Sequence, residues 1–104
     1  MKKVSRAEQD LQDFETVFWA VAHASRRQIL VVLNSRGGSL PAGDIAKRFA
    51  CSWPTVTRHL KVLEQASLVS VRKQGRENIY ELNTARLNKI REWMDYFKKD
   101  YRDV

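Results

Sequence analysis

Residues 52–63 read Ser-Trp-Pro-Thr-Val-Thr-Arg-His-Leu-Lys-Val-Leu, and this stretch decides the fold. Ser52 is a favourable N-cap, and Pro54 stands in the first turn of the helix, where its missing N–H costs little. Three apolar residues then recur at helical spacing, namely Val56, Leu60 and Leu63. Most other positions carry polar or basic side chains. The stretch therefore predicts a helix that buries one face and offers a polar, basic face to a partner.

Helical patterns also precede this stretch. Apolar residues recur with helical spacing between Leu11 and Val21, which predicts a first helix. Ser25 and Gln28 are spaced as in a capping box, with Ser25 as the N-cap of a second helix. Pro41 opens a short third helix. A short helix, a tight connection and a polar-faced helix are the parts of a helix-turn-helix, whose second helix enters the major groove of DNA.

The residues after the polar-faced helix predict a hairpin and a last helix. The segment 68–82 has β-strand patterning on both sides of the turn Lys73-Gln74-Gly75-Arg76. Asn83 then caps a final helix. The sequence therefore predicts one mainly α domain over residues 1–104 with a two-stranded β wing, which is a winged helix-turn-helix.

Basic residues are concentrated in the middle of the chain. The 104 residues carry a formal net charge of +7. Residues 47–76 alone hold seven basic side chains against a single acidic one, Glu64. A basic surface favours a polyanion such as nucleic acid. Because the excess charge coincides with the polar-faced helix and the hairpin, we expect double-stranded DNA as the partner.

Two sets of residues are candidates for DNA contacts. Arginine can pair with guanine through two hydrogen bonds, threonine can bond a base or touch a thymine methyl group, and lysine is suited to a phosphate. The polar-faced helix is the expected recognition helix, the one that enters the major groove. Its candidates are Ser52, Trp53, Thr55, Thr57, Arg58 and Lys61. On the wing, which can straddle the backbone or reach a narrow minor groove, they are Arg72, Lys73, Gln74 and Arg76. Two alternatives stay open: Trp53 covers part of the core, and the wing charges protect an edge strand from aggregation.

Three further residues have structural alternatives. His59 either meets a phosphate or packs beside the apolar stripe of its helix, and His23 is expected to be a turn or packing residue. Cys51 is expected to be a small buried residue that packs on Val56, with a reactive thiol at the helix N-terminus as the alternative. As the single cysteine, Cys51 excludes an intrachain disulfide.

Several function classes are not expected. The sequence has no apolar run long enough for a membrane span and no signal-peptide pattern, so we expect a cytoplasmic protein without a membrane partner. It has no glycine-rich phosphate loop, no nucleophile beside a plausible base and no paired carboxylates of a catalytic kind. An enzyme is therefore not expected.

The motifs together resemble those of the ArsR-type family of small bacterial winged-helix repressors. The resemblance covers residues 11–97. It is carried by the segments 24–30 (Ala-Ser-Arg-Arg-Gln-Ile-Leu), 44–46 (Asp-Ile-Ala), 54–63, and 75–82 (Gly-Arg-Glu-Asn-Ile-Tyr-Glu-Leu). The resemblance implies a homodimeric repressor that binds an inverted repeat, with the first and last helices forming the dimer interface.

Apolar residues of the first and last helices are the candidates for that interface. Five residues of the last helix are spaced 3, 4, 3 and 4 apart, as in the seam of a helix that packs lengthwise against another: Leu87, Ile90, Met94, Phe97 and Tyr101. A chain of this size leaves much of its surface exposed, so dimerisation is a favourable way to bury more. The expected interface residues are Phe14, Val17, Phe18, Val21, Ile90, Met94, Phe97 and Tyr101.

Many members of this family sense metal ions, but this sequence departs from both of the usual ligand sets. Residues 40–49 contain no Cys or His, and the last helix has carboxylates but no Cys or His. Zinc-type sites need several such ligands close together. We therefore predict no metal site and no cofactor, and the sequence points to no particular small-molecule ligand.

Two other functions remain as alternatives. One is a metal-, redox- or ligand-responsive repressor of the same fold, with the inducer bound at the dimer interface. The other is a winged helix used for protein–protein contact. A DNA binder should lose affinity steeply as salt rises, whereas an apolar protein interface should not.

Overall fold

The computed structural model describes the backbone of residues 4–102 and the side chains of residues 4–98. In chain order these residues form α1 (Arg6–Val21), α2 (Ala24–Ser35), β1 (Ser39–Pro41), α3 (Ala42–Ala46), α4 (Trp53–Gln65), β2 (Val69–Gln74), β3 (Glu77–Leu82) and α5 (Thr84–Arg102). The predicted winged helix-turn-helix is confirmed, with α3 and α4 as the helix-turn-helix and β2 and β3 as the wing. None of these helices has the length and apolar character needed to cross a membrane.

The recognition helix α4 begins where the sequence predicts. The Ser52 hydroxyl accepts a hydrogen bond from the Thr55 backbone N–H at 3.4 Å and caps the helix. Its three stripe residues, Val56, Leu60 and Leu63, are at most 2% exposed. Burying each such side chain contributes about 1.5–3 kcal/mol. The core therefore holds α4 firmly, and its opposite face is left toward solvent.

The wing belongs to a three-stranded antiparallel sheet with the order β1-β3-β2. The prediction of two strands was therefore incomplete. Segment β1 is only three residues long, too short to show alternation, and Pro41 was interpreted as a helix start alone. In the structure Pro41 both ends β1, where it pairs with Ile79, and is the N-cap residue of α3.

Helix α2 begins differently from the prediction. The predicted capping box with Ser25 as N-cap is wrong, because Ser25 already lies inside the helix. The N-cap is His23, whose ring nitrogen Nδ1 accepts a hydrogen bond from the Ser25 backbone N–H at 3.1 Å. An imidazole nitrogen is an acceptor like a hydroxyl oxygen, but it is not in the usual list of capping groups.

Helices α1 and α5 lie against each other within one chain. Arg86 of α5 forms an ion pair with Asp13 of α1 at 3.2 Å. Its guanidinium also donates to the Ala66 carbonyl at the C-terminus of α4, at 2.9 Å. Hydrogen bonds from Gln9 and then Arg86 hold the pKa of Asp13 below its usual value, which keeps the carboxylate charged. The side chain of Arg86 therefore ties α5 to both α1 and α4.

Candidate nucleic-acid interface

Polar side chains cover the solvent face of α4. Thr57, Arg58 and Lys61 are exposed, and Thr55 is half-buried. The Arg58 guanidinium donates to the Thr55 hydroxyl at 3.4 Å, and the Ser52 and Thr55 hydroxyl oxygens are 3.0 Å apart. Ser52, Thr55 and Arg58 thus form one line of hydrogen bonds along the first turns of the helix. Ser52 is therefore used as the N-cap, whereas Arg58 donates one N–H of its guanidinium within this line and keeps further donors to meet a base.

Thr57 is partly committed to its own helix. Its hydroxyl donates to the Trp53 backbone carbonyl at 3.0 Å. The hydroxyl oxygen still has a free lone pair, and the methyl group is exposed. Thr57 can therefore accept a hydrogen bond from a base or touch a thymine methyl group, but it cannot donate without breaking the internal bond.

The sequence left open whether Trp53 covers part of the core or contacts DNA. Trp53 is 54% exposed, so it is not a core residue. Its six-membered ring nevertheless lies over Gly43 of α3, 3.6 Å from the position that a Cβ atom would take there. Trp53 therefore covers part of α3 and keeps a large apolar surface open to solvent.

The four wing candidates lie together at the hairpin tip. Arg72, Lys73, Gln74 and Arg76 are all exposed. The Arg72 guanidinium donates to the Gln74 side-chain oxygen at 2.6 Å. Gly75 has a φ of +62°, a left-handed conformation that glycine adopts without a steric cost. This turn keeps three cations within one short hairpin tip.

A buried arginine joins α4 to the corner between α1 and α2. Arg26 is only 7% exposed. It donates to the carbonyl groups of Ala20 at 2.7 Å and Trp19 at 2.9 Å, at the C-terminal end of α1, where a cation is favoured. Its Nη1 atom lies 3.4 Å from Nδ1 of His59 on α4. One side chain therefore links three helices behind the candidate DNA surface.

The buried position of Arg26 was not predicted from the sequence, although the sequence contains a signal for it. Arg26 precedes Ile29, Leu30 and Leu33 by three, four and seven positions. These three residues form the buried stripe of α2, so the spacing places Arg26 on the side of the helix that faces the core. A charged residue on the core side of a helix indicates a side chain that is buried and paired, and here the carbonyl groups at the end of α1 are the partners.

His59 packs against this corner instead of standing free on the recognition helix. It is half-buried, and its ring centroid lies 4.5 Å from that of His23. Burial, followed by the electrostatic influence of the neighbouring His23, Arg26 and Arg58 side chains, lowers the pKa of His59 from its ordinary value. The geometry favours the packing alternative for His59.

We expect the free energy of unfolding to decrease as the pH falls below about 6.5, the ordinary pKa of histidine. In that range His59 of the unfolded chain takes up a proton while His59 of the folded chain stays neutral. The decrease levels off below the lowered pKa of the folded state. Urea titrations over a series of pH values measure this effect, and His59→Gln should flatten this part of the curve. An unchanged pH dependence in His59→Gln would contradict the prediction.

Cys51 does not have the predicted environment. We expected a small buried residue, but Cys51 is exposed. The reason is its position: it precedes the N-cap Ser52, in the connection that leads out of the core before α4 begins. The proposed packing of Cys51 on Val56 is therefore wrong.

Aromatic side chains of α1 and α5 form a second candidate surface. Phe18 meets Trp93 edge to face at 5.3 Å, Trp93 meets Phe97 at 5.0 Å, and Phe14 meets Tyr96 at 6.5 Å between ring centroids. We call these five residues the aromatic face. Three of them are at least 43% exposed, namely Trp93, Tyr96 and Phe97. A shallow groove of about 390 Å³ is lined by three residues of this face, Phe14, Phe18 and Trp93, together with Leu11 and Glu15.

The structure divides the expected interface residues into several groups. Val17 is 1% exposed and belongs to the core of its own chain, so its assignment to an interface is wrong. Val21 and Ile90 are partly buried against the same core. Met94 is exposed like Phe97, whereas Tyr101 lies outside the described side chains. The spacing rule missed Trp93 and Tyr96 because it follows one seam of α5, and these residues lie beside it.

Within the part of the chain that the structure describes, no group of three or more Cys, His, Asp or Glu residues is placed to hold a metal ion. His23 and His59 are adjacent, but the guanidinium of Arg26 lies beside His59. A fixed cation at that distance disfavours a metal ion.

Comparisons with known proteins agree with this architecture. Residues 21–72 match a family model described as a helix-turn-helix domain. The chain is 41% identical over 89 residues to the transcriptional repressor SdpR of Bacillus subtilis (strain 168), which covers 85% of this chain and 97% of SdpR. It is 33% identical over 84 residues to the arsenical resistance operon repressor of Staphylococcus xylosus, which covers 81% of this chain and 79% of that repressor.

A solved structure has the same fold. It is the homodimeric winged helix-turn-helix DNA-binding domain of Mb0332 from Mycobacterium bovis, a possible ArsR-family transcriptional regulator. The TM-score is 0.71 at 24% sequence identity, and the match covers 94% of this chain and 92% of that one.

Proposed function

The chain belongs to the ArsR family of winged helix-turn-helix transcriptional repressors, and we propose that it represses transcription as a homodimer bound to an inverted repeat of double-stranded DNA. Its family is a class of DNA-binding regulators and not a class of enzymes. We further propose that it acts in the cytoplasm, as one domain, without a catalytic step and without a metal ion.

One observation carries the proposed mode of DNA binding. The N-terminal end of α4 and the tip of the wing line the same cleft, so they face the same side of the molecule. Arg76 lines this cleft. Arg58 and Lys61 of α4 and the wing residues Arg72 and Lys73 are exposed on the same two elements. A recognition helix and a basic wing that face one way can enter neighbouring grooves of one duplex. Thr55, Thr57 and Arg58 are the proposed base contacts, and Lys61 is a proposed phosphate contact.

Two observations support the homodimer. The aromatic face leaves Trp93, Tyr96 and Phe97 each at least 43% exposed, and contiguous exposed apolar surface is typical of an interaction site. The Mycobacterium bovis domain of the same fold is described as homodimeric. A two-fold dimer would place the two copies of α4 in successive major grooves, about 34–36 Å apart along the duplex.

The test is selection of bound duplexes from random-sequence DNA with the full chain, followed by a salt titration on the selected duplex. We expect an inverted repeat and a linear, steep fall of the logarithm of affinity with the logarithm of salt concentration. If no duplex is enriched, or if affinity does not respond to salt, the proposal fails. That outcome would favour the use of the winged helix for protein–protein contact.

Arg58→Ala is expected to cost about 1–3 kcal/mol of binding free energy on the selected duplex and to relax the preference at one base position. The physical reason is the loss of a two-bond contact to a guanine edge. Binding assays on the selected duplex and on its single-base variants measure this effect. Arg91→Ala is the matched control, since it removes the same charge from an exposed position of α5. Equal losses on selected and random duplexes would make Arg58 a backbone contact instead.

A further inference from the structure

A cleft separates the recognition helix from the wing. It has a volume of about 250 Å³ and is lined by Ala42, Gly43, Trp53, Arg76, Glu77 and Asn78. Its walls are therefore α3, the first residue of α4, the wing turn and the first two residues of β3. The two elements that we propose to enter DNA grooves meet at this concave surface.

Trp53 forms an apolar wall of the cleft. Its ring can lie along α3 because Gly43 has no side chain, and the ring stays 54% exposed. The indole offers a flat apolar surface and one N–H donor, and it has no acceptor. These properties suit a deoxyribose ring and a phosphate oxygen, which are both present in a DNA backbone.

The opposite wall is polar. Arg76 is exposed in the turn, and Asn78 follows it on β3. A guanidinium and an amide N–H are common donors to phosphate oxygens. Glu77 also lines the cleft, and its carboxylate would repel a phosphate. The cleft is thus a cationic and hydrogen-bonding site with one opposing charge.

The geometry of a duplex indicates what fills this space. Neighbouring major and minor grooves are separated by one sugar–phosphate backbone. If α4 enters the major groove and the wing tip reaches the adjacent minor groove, that backbone must pass between them. We propose that the cleft holds one phosphodiester of this strand, with Trp53 against the deoxyribose and Arg76 at the phosphate. This inference rests on the proposed function, because it needs α4 in the major groove.

The first test uses a variant that should bind more tightly. Glu77→Gln removes the opposing charge from the cleft, and we expect it to raise affinity for the selected duplex about fivefold over the control. The matched control is Glu81→Gln, which changes the same residue type on the same strand, outside the cleft. Both variants raise the net charge equally. Equal affinities of the two variants would overturn the proposal, and a gain in affinity cannot arise from misfolding.

The second test locates the phosphate. Single methylphosphonate substitutions, which remove the charge of one phosphate, are placed along the selected duplex. At one position in each half-site, wild type should lose about tenfold in affinity, as expected when a charge-assisted hydrogen bond is removed. Arg76→Gln should lose much less at that position and as much as wild type at the others. If Arg76→Gln and wild type respond alike at every position, the proposal is wrong.

Trp53 is tested on the same substituted duplexes. Trp53→Phe keeps an apolar ring in the cleft and should retain most of the affinity for the selected duplex. Trp53→Ala should bind that duplex more weakly, and the methylphosphonate at the same phosphate position should then reduce its affinity less than it reduces that of wild type. Thermal unfolding of both variants shows whether they fold. Failure to select any duplex would count against the proposed function as a whole. A protein that selects a duplex but gives uniform responses to the substitutions would count against the cleft alone.

Discussion

Phe97→Glu is expected to convert the protein to monomers and to weaken binding to the selected inverted repeat by about a hundredfold or more. A dimer binds both half-sites at once, and this linkage raises its affinity by at least that factor over a monomer on one half-site. Phe97 is 45% exposed and packs on Trp93 in the aromatic face. A carboxylate there would have to lose its water in a two-fold interface, and the symmetry would place the same charge on the partner. Phe97 is not part of the buried core that holds the recognition helix, so α4 should stay folded.

Sedimentation measures the oligomeric state, and binding to full and half-site duplexes separates the loss of dimerisation from the loss of DNA contacts. The control is Val31→Glu, which introduces the same charge at an apolar residue of α2 that is 58% exposed. Val31→Glu should remain dimeric. A wild-type chain that stays monomeric at high concentration, or a Phe97→Glu variant that stays dimeric, would contradict the proposed interface.

Replacing Arg72, Lys73 and Arg76 together by Gln should weaken binding to every duplex and reduce its salt dependence. The slope of log affinity against log salt should become shallower by about 0.9 for each phosphate contact that is lost. The three side chains are exposed on the wing tip, so their loss should leave the core intact. Because a dimer carries two wings, the change in the slope should be twice the change expected from one wing.

The control for this variant removes the same charge elsewhere. Arg6, Arg36 and Arg91 are exposed and lie outside α4 and the wing. Their replacement by Gln lowers the net charge equally but should change the slope much less. Similar slopes for the two triple variants would remove the wing from the proposed DNA interface. The charges at its tip would then serve to keep an edge strand from aggregating.

The sequence was most informative where local chemistry and burial agree. The cap at Ser52, the apolar stripe of α4 and the turn at Gly75 each have one favourable structure, and the structure has all three. The prediction failed where a residue's partner is distant in sequence. Segment β1 is a strand only because β3 lies beside it, and three residues cannot show that pairing alone.

Burial was harder to predict than secondary structure. Val17 follows the same helical spacing as Phe14 and Phe18, but α1 turns Val17 toward the core and leaves the aromatic rings at its side. The spacing of apolar residues predicts which side of the helix a residue occupies, but it does not predict whether that side packs on the core of the same chain or stays exposed. Arg26 is the reverse case, because most arginines are exposed, whereas this one lies on the core side of α2 and the helix-end carbonyls of α1 make its burial favourable. The DNA contacts themselves remain predictions.

The three-stranded sheet limits how freely the wing can move. Residues 79–81 of β3 are paired on both sides, with β1 and with β2, whereas Glu77 and Asn78 are paired with β2 alone. Fraying of the hairpin should therefore stop at the Arg72–Ile79 pair, and only residues 73–78 should sample many conformations before DNA is bound. Fixing a backbone residue costs about 1–2 kcal/mol of conformational entropy. The sheet confines that cost to the few residues at the tip, which include the proposed contacts Lys73, Gln74 and Arg76, and β1 keeps the remainder of the wing ordered in advance.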